Sequence, residues 1–205
     1  MKYIIIPERE QENQLPFYFA VEEYVARTYT DDDYFMVWRV EPTVMLGRNQ
    51  LIDNEVDVEY CKSNGVHIYR RKSGGGCIYA DHGCMQFSYI SFAENVNRAF
   101  VDYMKGVADM LRSLNIDARL SGRNDILVDG KKVAGSAFYR LKGRSVLHNS
   151  LLFGTMLDHL SKALTPSKEK LRSKGVASVS QRVTNIGQHT DLSIEDFMAY
   201  VRKYM

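Results

Sequence analysis

ARLSGRNDILVDGKKVAGSAFYRLKGRSVLHNSLLFG, residues 118–154, holds four strand-like runs with no helical periodicity between them. DILV and KKVAGSAFYRL flank Asp129-Gly130, a pair suited to a tight hairpin turn. A second turn near Lys142-Gly143 leads into SVLHNSLLFG. Strands that follow one another through short turns pair antiparallel, whereas parallel pairs need a crossover. The stretch therefore predicts an α+β domain: a mixed, largely antiparallel sheet packed with helices, not a doubly wound parallel one.

Working outward, the strand-like runs VHIYRR, CIYAD and MQFSYIS are broken by a glycine turn and by His82-Gly83. Residues 2–6 read as a strand stopped by Pro7, and PFYFAVEEYVARTY (16–29) as a helix with proline in its first turn. YFMVWRV (34–40) and TVMLG (43–47) are expected to pair through a Glu41-Pro42 turn, and a helix is expected from Asn54 to Ser63, stopped by Gly65. NVNRAFVDYMKGVADMLRSLN (95–115) is the longest helix candidate, with Val96, Phe100, Met104, Val107, Met110, Leu111 and Leu114 on one stripe. The polar stretch Thr165–Ser180 reads as a loop with one short helix, and Ser193 caps a final helix through a Ser-x-x-Asp arrangement. No repeat or linker divides residues 1–205, so a single domain is expected.

Composition narrows the function classes. The chain has 205 residues, 27 basic and 25 acidic, for a net charge of +2. That balance gives no general case for a nucleic-acid or membrane partner. MKYIIIPERE is too short an apolar run for a signal peptide, and nothing approaches a membrane span. Three cysteines, Cys61, Cys77 and Cys84, fit free thiols in a reducing cytoplasm.

Two stretches carry candidate chemistry. RRKSGGG joins Arg70 and Arg71 to Ser73 and Gly74–Gly76, and such a turn can aim several N–H groups at one anion. It lacks the order of a P-loop and the spacing of a dinucleotide fingerprint, so a chain-reversing turn is the plainer reading of these residues alone. In GRNDILVDGKK, Asp125 could hold magnesium, which takes one or two carboxylates plus phosphates. Lys132 precedes VAGSA, whose small residues leave room beside the backbone; an exposed hairpin with a solvated tip is the bland alternative. Cys77, Asp81, His82 and Cys84 match no zinc-ligand spacing. Trp38 reads as core, and His148 as a satisfied, buried or half-buried histidine.

Taken together, RRKSGGGCIYAD, GRNDILVDGKKVAGSA, HNSLLF and KLRSKGVASVSQRVTNI occur in the order found in the lipoate–protein ligase A family, and the chain resembles that family from Phe17 to Ile186. The resemblance implies a catalytic domain of the kind shared with biotin ligases. It implies activation of lipoate with ATP and Mg²⁺ to lipoyl-AMP, then transfer to a lysine of a lipoyl carrier domain. Carriers of this class are 2-oxoacid dehydrogenase E2 subunits or glycine cleavage H protein. The nucleotide contacts it implies are Arg71, Gly76, Cys77, Ile78, Tyr79, Asn124, Asp125 and Lys132, with Asp125 near the metal and Lys132 as the catalytic lysine. For the lipoyl tunnel it implies Val21, Trp38, Arg71, Ser73, Gly75, Lys132, Ala137 and His148. Ala80 and Cys84 depart from the family's histidine and asparagine, and Leu147 and Asn149 flank His148 where the family differs. Many members continue into a C-terminal accessory domain, which residues beyond Met205 or a separate chain would supply.

Other readings stay open at this stage. A transferase of the same fold passes an acyl group through a cysteine thioester without ATP, yet LRSKGVASVSQRVTNI, where such a cysteine is expected, contains none. Cys77 and Cys84 are expected to be poorly placed for that role. A biotin ligase would share the adenylation logic. A non-catalytic lipoate- or lipoyl-domain-binding module would have no need of Arg71, Asp125 and Lys132 together.

Overall fold

The computed structural model describes residues 1–6, 14–122, 124–141, 143–165 and 182–205. In chain order its elements are β1 (Lys2–Tyr3), α1 (Leu15–Thr28), β2 (Tyr34–Trp38), β3 (Thr43–Leu46), α2 (Ile52–Glu55), α3 (Val58–Ser63), β4 (His67–Arg70), β5 (Ile78–Ala80) and β6 (Cys84–Ser91). There follow α4 (Val96–Arg112), β7 (Arg119–Ser121), β8 (Asp125–Val128), β9 (Lys131–Leu141), β10 (Arg144–Leu152), α5 (Leu157–Ala163) and a last helix, α6 (Ile194–Tyr204). Most of the stretch expected to hold a loop and short helix, 166–180, lies outside the described residues.

Seven strands form one sheet in the order β1-β2-β6-β10-β9-β8-β7, antiparallel except where β1 meets β2. A second sheet has the order β4-β3-β5, parallel between β3 and β4 and antiparallel between β3 and β5. The architecture is the expected α+β one. The β8–β9 turn is built as the residues demand: Asp129 and Gly130 both take positive φ, 50° and 74°.

Two local expectations fail. YFMVW and TVML do not pair with each other; β2 joins the large sheet and β3 the small one. Every residue of both strands is buried, so alternation held no clue to which partner each would take. The single helix expected at 54–63 is two short ones. Val56 is extended, and the Asp57 carboxylate starts α3 afresh by accepting from Tyr60 N–H at 2.8 Å. Gly65, at φ 66°, follows α3 as expected.

Strand alternation assigns the two faces of the large sheet. Phe35, Val37, Met85, Phe87, Leu147 and Leu151 face α4 and α6, meeting Met104, Val107, Met110, Leu111 and Phe197 in the main core. Each such side chain contributes roughly 1.5–3 kcal/mol by leaving water. Asn95 caps α4 by accepting from Arg98 N–H at 3.1 Å, and Ser193 caps α6 through Asp196 N–H. Met36, Trp38, Cys84 and Leu152 point the other way, towards α1 and the small sheet. The functional cavity opens on that second face.

Candidate functional site

A cavity of about 320 Å³ lies between the large sheet and the glycine loop of the small one. Its floor is one cross-strand row. Trp38 pairs with Gln86, Gln86 with Ser150, Ser150 with Gly135 and Gly135 with Asp125, and all five residues line the cavity. Four strand spacings separate the ends of that row, roughly 19 Å. Trp38 stands at one end and the charged hairpin at the other.

The glycine segment is a crossing, not a hairpin turn, because β4 and β5 lie on opposite sides of β3. Arg71 clasps it. Its guanidinium donates to Met45 O at 2.8 Å, Gly74 O at 2.8 Å, Gly76 O at 2.6 Å and Ser73 Oγ at 3.0 Å. Burial lowers the Arg71 pKa, yet this side chain is satisfied on every side. With these carbonyls turned to Arg71, the N–H groups of Gly74, Gly75 and Gly76 donate no hydrogen bond among the described residues. Amides left over in this way suit an anion. Gly75 takes φ 94°, and a Cβ on Gly47 would overlap the Gly75 carbonyl. Gly47 is therefore part of the loop's construction, and the sequence reading missed it.

At the other wall the β8–β9 hairpin presents Asp125 and Lys132. Lys132 Nζ is 2.6 Å from Asp125 Oδ1, and Arg182 Nη2 is 2.7 Å from Oδ2. Arg182 arrives because Val183 bridges Lys132 and Thr184 N–H donates to Lys132 O at 3.0 Å. Burial pushes the Asp125 carboxyl up, but Lys132 and Arg182 outweigh it and hold it below the ordinary value. Asn124 Nδ2 donates to Ser136 O at 2.8 Å, which locks the start of β8 to β9. Arg182 falls within KLRSKGVASVSQRVTNI, but its partner Asp125 is distant in sequence, so spacing alone gives no sign of its role. Among the described residues no three acidic, histidine or cysteine side chains converge as a metal site. Asp125 alone, with both oxygens facing cations, suits Mg²⁺ only if phosphate and water complete the shell.

The apolar end is Phe19, Trp38, Met45, Ala137 and His148. Trp38 stacks on Tyr18 at 4.5 Å, and its Nε1–H donates to Ser88 Oγ at 2.8 Å. Ser88 in turn donates to Glu22, whose other oxygen lies 2.7 Å from His148 Nε2. His148 is thus half-buried and partnered, as expected. Glu22 is fully buried on α1 and was missed, although an acid within an apolar helix stripe is a visible signal.

The structure gathers Trp38, Arg71, Gly75, Gly76, Cys77, Ile78, Asn124, Asp125, Lys132, Ala137 and His148 around this cavity. Three expected residues do not line it. Val21 packs among the apolar clusters beneath α1, Ser73 is buried as an acceptor for Arg71, and Tyr79 is buried in the small sheet's own core. Cys77, expected among the nucleotide contacts and expected to be poorly placed as a nucleophile, lines the cavity. Cys84 is buried, with its thiol pushed up to about 12 by desolvation and Asp81. Asp81 accepts from Gly83 and Met156 N–H groups, tying β6 to the start of α5.

Comparison with known proteins places the whole chain rather than the individual site residues. Residues 14–205 match the family model of the lipoyl protein ligase A/B catalytic domain. The chain is 35% identical over 190 residues to lipoate-protein ligase LplJ of Bacillus subtilis, covering 91% of this chain and 57% of that protein. Lipoate-protein ligase 1 of Staphylococcus aureus is also 35% identical, over 188 residues, covering 90% of this chain and 57% of that one. The chain thus spans little more than half the length of these relatives. Among solved structures, lipoate-protein ligase A bound with ATP has a TM-score of 0.78 at 30% identity, covering 90% of this chain and 76% of that one. Protein Ta0514 of T. acidophilum with bound lipoic acid has a TM-score of 0.80 at 27% identity, covering 95% and 80%. The chain therefore belongs to the lipoyl protein ligase A/B catalytic-domain family.

Proposed function

We propose that this chain activates lipoate with ATP, forming lipoyl-AMP and pyrophosphate, and transfers the lipoyl group to a lysine of a lipoyl carrier domain. The observation that carries the reading is the cross-strand row. An apolar end at Trp38 and a cationic end at Lys132 share one cavity, with a glycine loop as its opposite wall. A long apolar acid fits such a slot, its chain toward Trp38 and its carboxylate toward Lys132.

Activation brings a carboxylate onto a phosphate, two anions that repel. Lys132 and Arg182 lie beside each other on Asp125, placed to offset that repulsion. Arg71 acts through the loop it clasps, leaving the amides of Gly74–Gly76 for nucleotide oxygens. Asp125 is the residue that would hold Mg²⁺, which supplies charge neutralisation at the phosphates when bound. In transfer, Lys132 stabilises the negative charge growing on the lipoyl carbonyl oxygen as the amine attacks. Support for the ligands comes from relatives whose structures hold ATP or lipoic acid. Support for the carrier comes from a Thermoplasma acidophilum structure described as a bi-partite lipoate protein ligase with its E2 lipoyl domain. By the same analogy, an accessory domain or separate chain works with this catalytic domain.

One observation favours a second reading, transfer through a thioester: Cys77 faces the cavity. Lipoate-dependent exchange of labelled pyrophosphate into ATP decides between them. The ligase reading requires exchange that depends on lipoate; acylation of Cys77 from an acyl-thioester donor, with no exchange, would replace it.

A further inference from the structure

The floor of the slot is polar in its middle. In the cross-strand row Gln86 and Ser150 stand between the charged hairpin and Trp38, and both line the cavity. Gln86 is only 3% exposed, and a buried amide is costly unless it is paired. Its carbonyl oxygen accepts from Ser150 Oγ at 2.5 Å, and its nitrogen donates to Cys84 Sγ at 3.1 Å. A primary amide carries two N–H groups, and the second of Gln86 makes no hydrogen bond among the described residues. Phe19, Met45 and Ala137, also on the cavity wall, carry no polar side-chain atom that could accept it.

Distance along the row says what that N–H meets. The Lys132 ammonium sits over Gly135, where a Cβ would touch it. An acid held there by its carboxylate passes Ser150 after one strand spacing, roughly 5 Å, and Gln86 after two, roughly 10 Å. Carbon–carbon bonds of about 1.5 Å advance a zigzag chain by roughly 1.3 Å each. The sulfurs of lipoate stand on its sixth and eighth carbons, so they lie roughly 6 and 9 Å from the carboxyl carbon. Both fall between Ser150 and Gln86. A saturated acid of the same length puts only methylene and methyl groups there. The amide already holds one sulfur, that of Cys84, so its other N–H suits a weak acceptor of the same kind.

Resting on the ligase reading, we propose that Gln86 is a specificity-determining residue that selects an acid with sulfur in its tail, lipoate, over octanoate, the saturated acid of the same chain length. With lipoate the second N–H of Gln86 donates to a ring sulfur. With octanoate that N–H is buried against methylenes without an acceptor, and the unpaired group weakens binding. Ser150 is a positioning residue, because its hydroxyl fixes the amide's carbonyl oxygen and so the direction of its nitrogen.

The test measures pyrophosphate exchange driven by lipoate and, separately, by octanoate, with no carrier domain present. It uses wild type, Gln86→Leu and Ser150→Ala, each checked for folding by circular dichroism. Wild type should favour lipoate in kcat/KM. Gln86→Leu removes the amide at similar volume and should lower that preference on the order of 10-fold, the weight of one buried donor left unpaired, with octanoate turnover held or raised. Ser150→Ala should shift the ratio in the same direction by less, and it carries the test if Gln86→Leu does not fold. A wild type indifferent to the two acids, or an unchanged ratio in every folded variant, including one that loses both activities equally, overturns the proposal. If wild type exchanges pyrophosphate with neither acid, the ligase reading falls and takes this inference with it; lipoate-dependent exchange with an unaltered ratio in the variants overturns this inference alone.

Discussion

The Lys132 ammonium occupies the space that Gly135 leaves by having no side chain: a Cβ there would lie 2.5 Å from Nζ and 2.8 Å from Cε. The small residues of VAGSA thus make room first for a side chain of the same strand. Gly135→Ala should leave the sheet intact but lift Lys132 off Asp125. A displacement of about 1 Å at the reacting groups costs on the order of 100-fold. Pyrophosphate-exchange rates of a folded Gly135→Ala protein check this, and an unchanged rate would show that the lysine needs no such seat.

Arg71 is expected to matter as a fork. Arg71→Lys keeps the charge but offers a single ammonium to three carbonyls and the Ser73 hydroxyl. Leaving buried carbonyls short of donors costs about 1–3 kcal/mol. Urea unfolding and ATP titration of Arg71→Lys should both show loss. Retention of stability and affinity together would mean that charge alone is needed.

Much of the fold was legible because its signals are local. The Asp129-Gly130 turn, the α4 stripe and the Ser193 cap each declare themselves within a few residues. The membership of β3 was not legible, since a strand buried on both faces does not choose a partner by alternation. The site shows the same division. Lys132 and Asp125 share a hairpin and were found together, whereas Glu22 and Arg182 acquire meaning only through His148 and Asp125, across the fold. Gly47 looked like a strand end; its reason is the Gly75 carbonyl.

Acid should weaken one part of the site in a defined direction. Asp125 has its folded pKa below the ordinary carboxylate value, so its pairs stabilise fully above the unfolded value of about 3.9 and are lost as pH falls through the folded one. Asp125→Asn should therefore cost about 1–2 kcal/mol at pH 7, discounted for the partial exposure of its partners, with the gap closing in acid. The comparison must be between the two proteins, because burial raises the Asp81 carboxyl and gives the opposite slope in both. A gap unchanged between pH 7 and pH 3 in denaturant titrations would contradict the account.

Thiol chemistry is expected to be dispensable. Cys61 and Cys84 are buried, with burial raising both thiols, and Cys77 touches the cavity without being required by adenylate chemistry. A variant with all three replaced by alanine should keep lipoate-dependent pyrophosphate exchange. Loss of exchange in a folded triple variant, or an acyl group trapped on Cys77, would favour the thioester route.

The most direct measurement is the intact mass of a lipoyl carrier domain after incubation with this chain, lipoate and Mg²⁺, with and without ATP, beside a folded Lys132→Ala variant. The account predicts one lipoyl group added by wild type only when ATP is present, and almost none by Lys132→Ala. Lipoylation without ATP, or at the wild-type rate by Lys132→Ala, would contradict it.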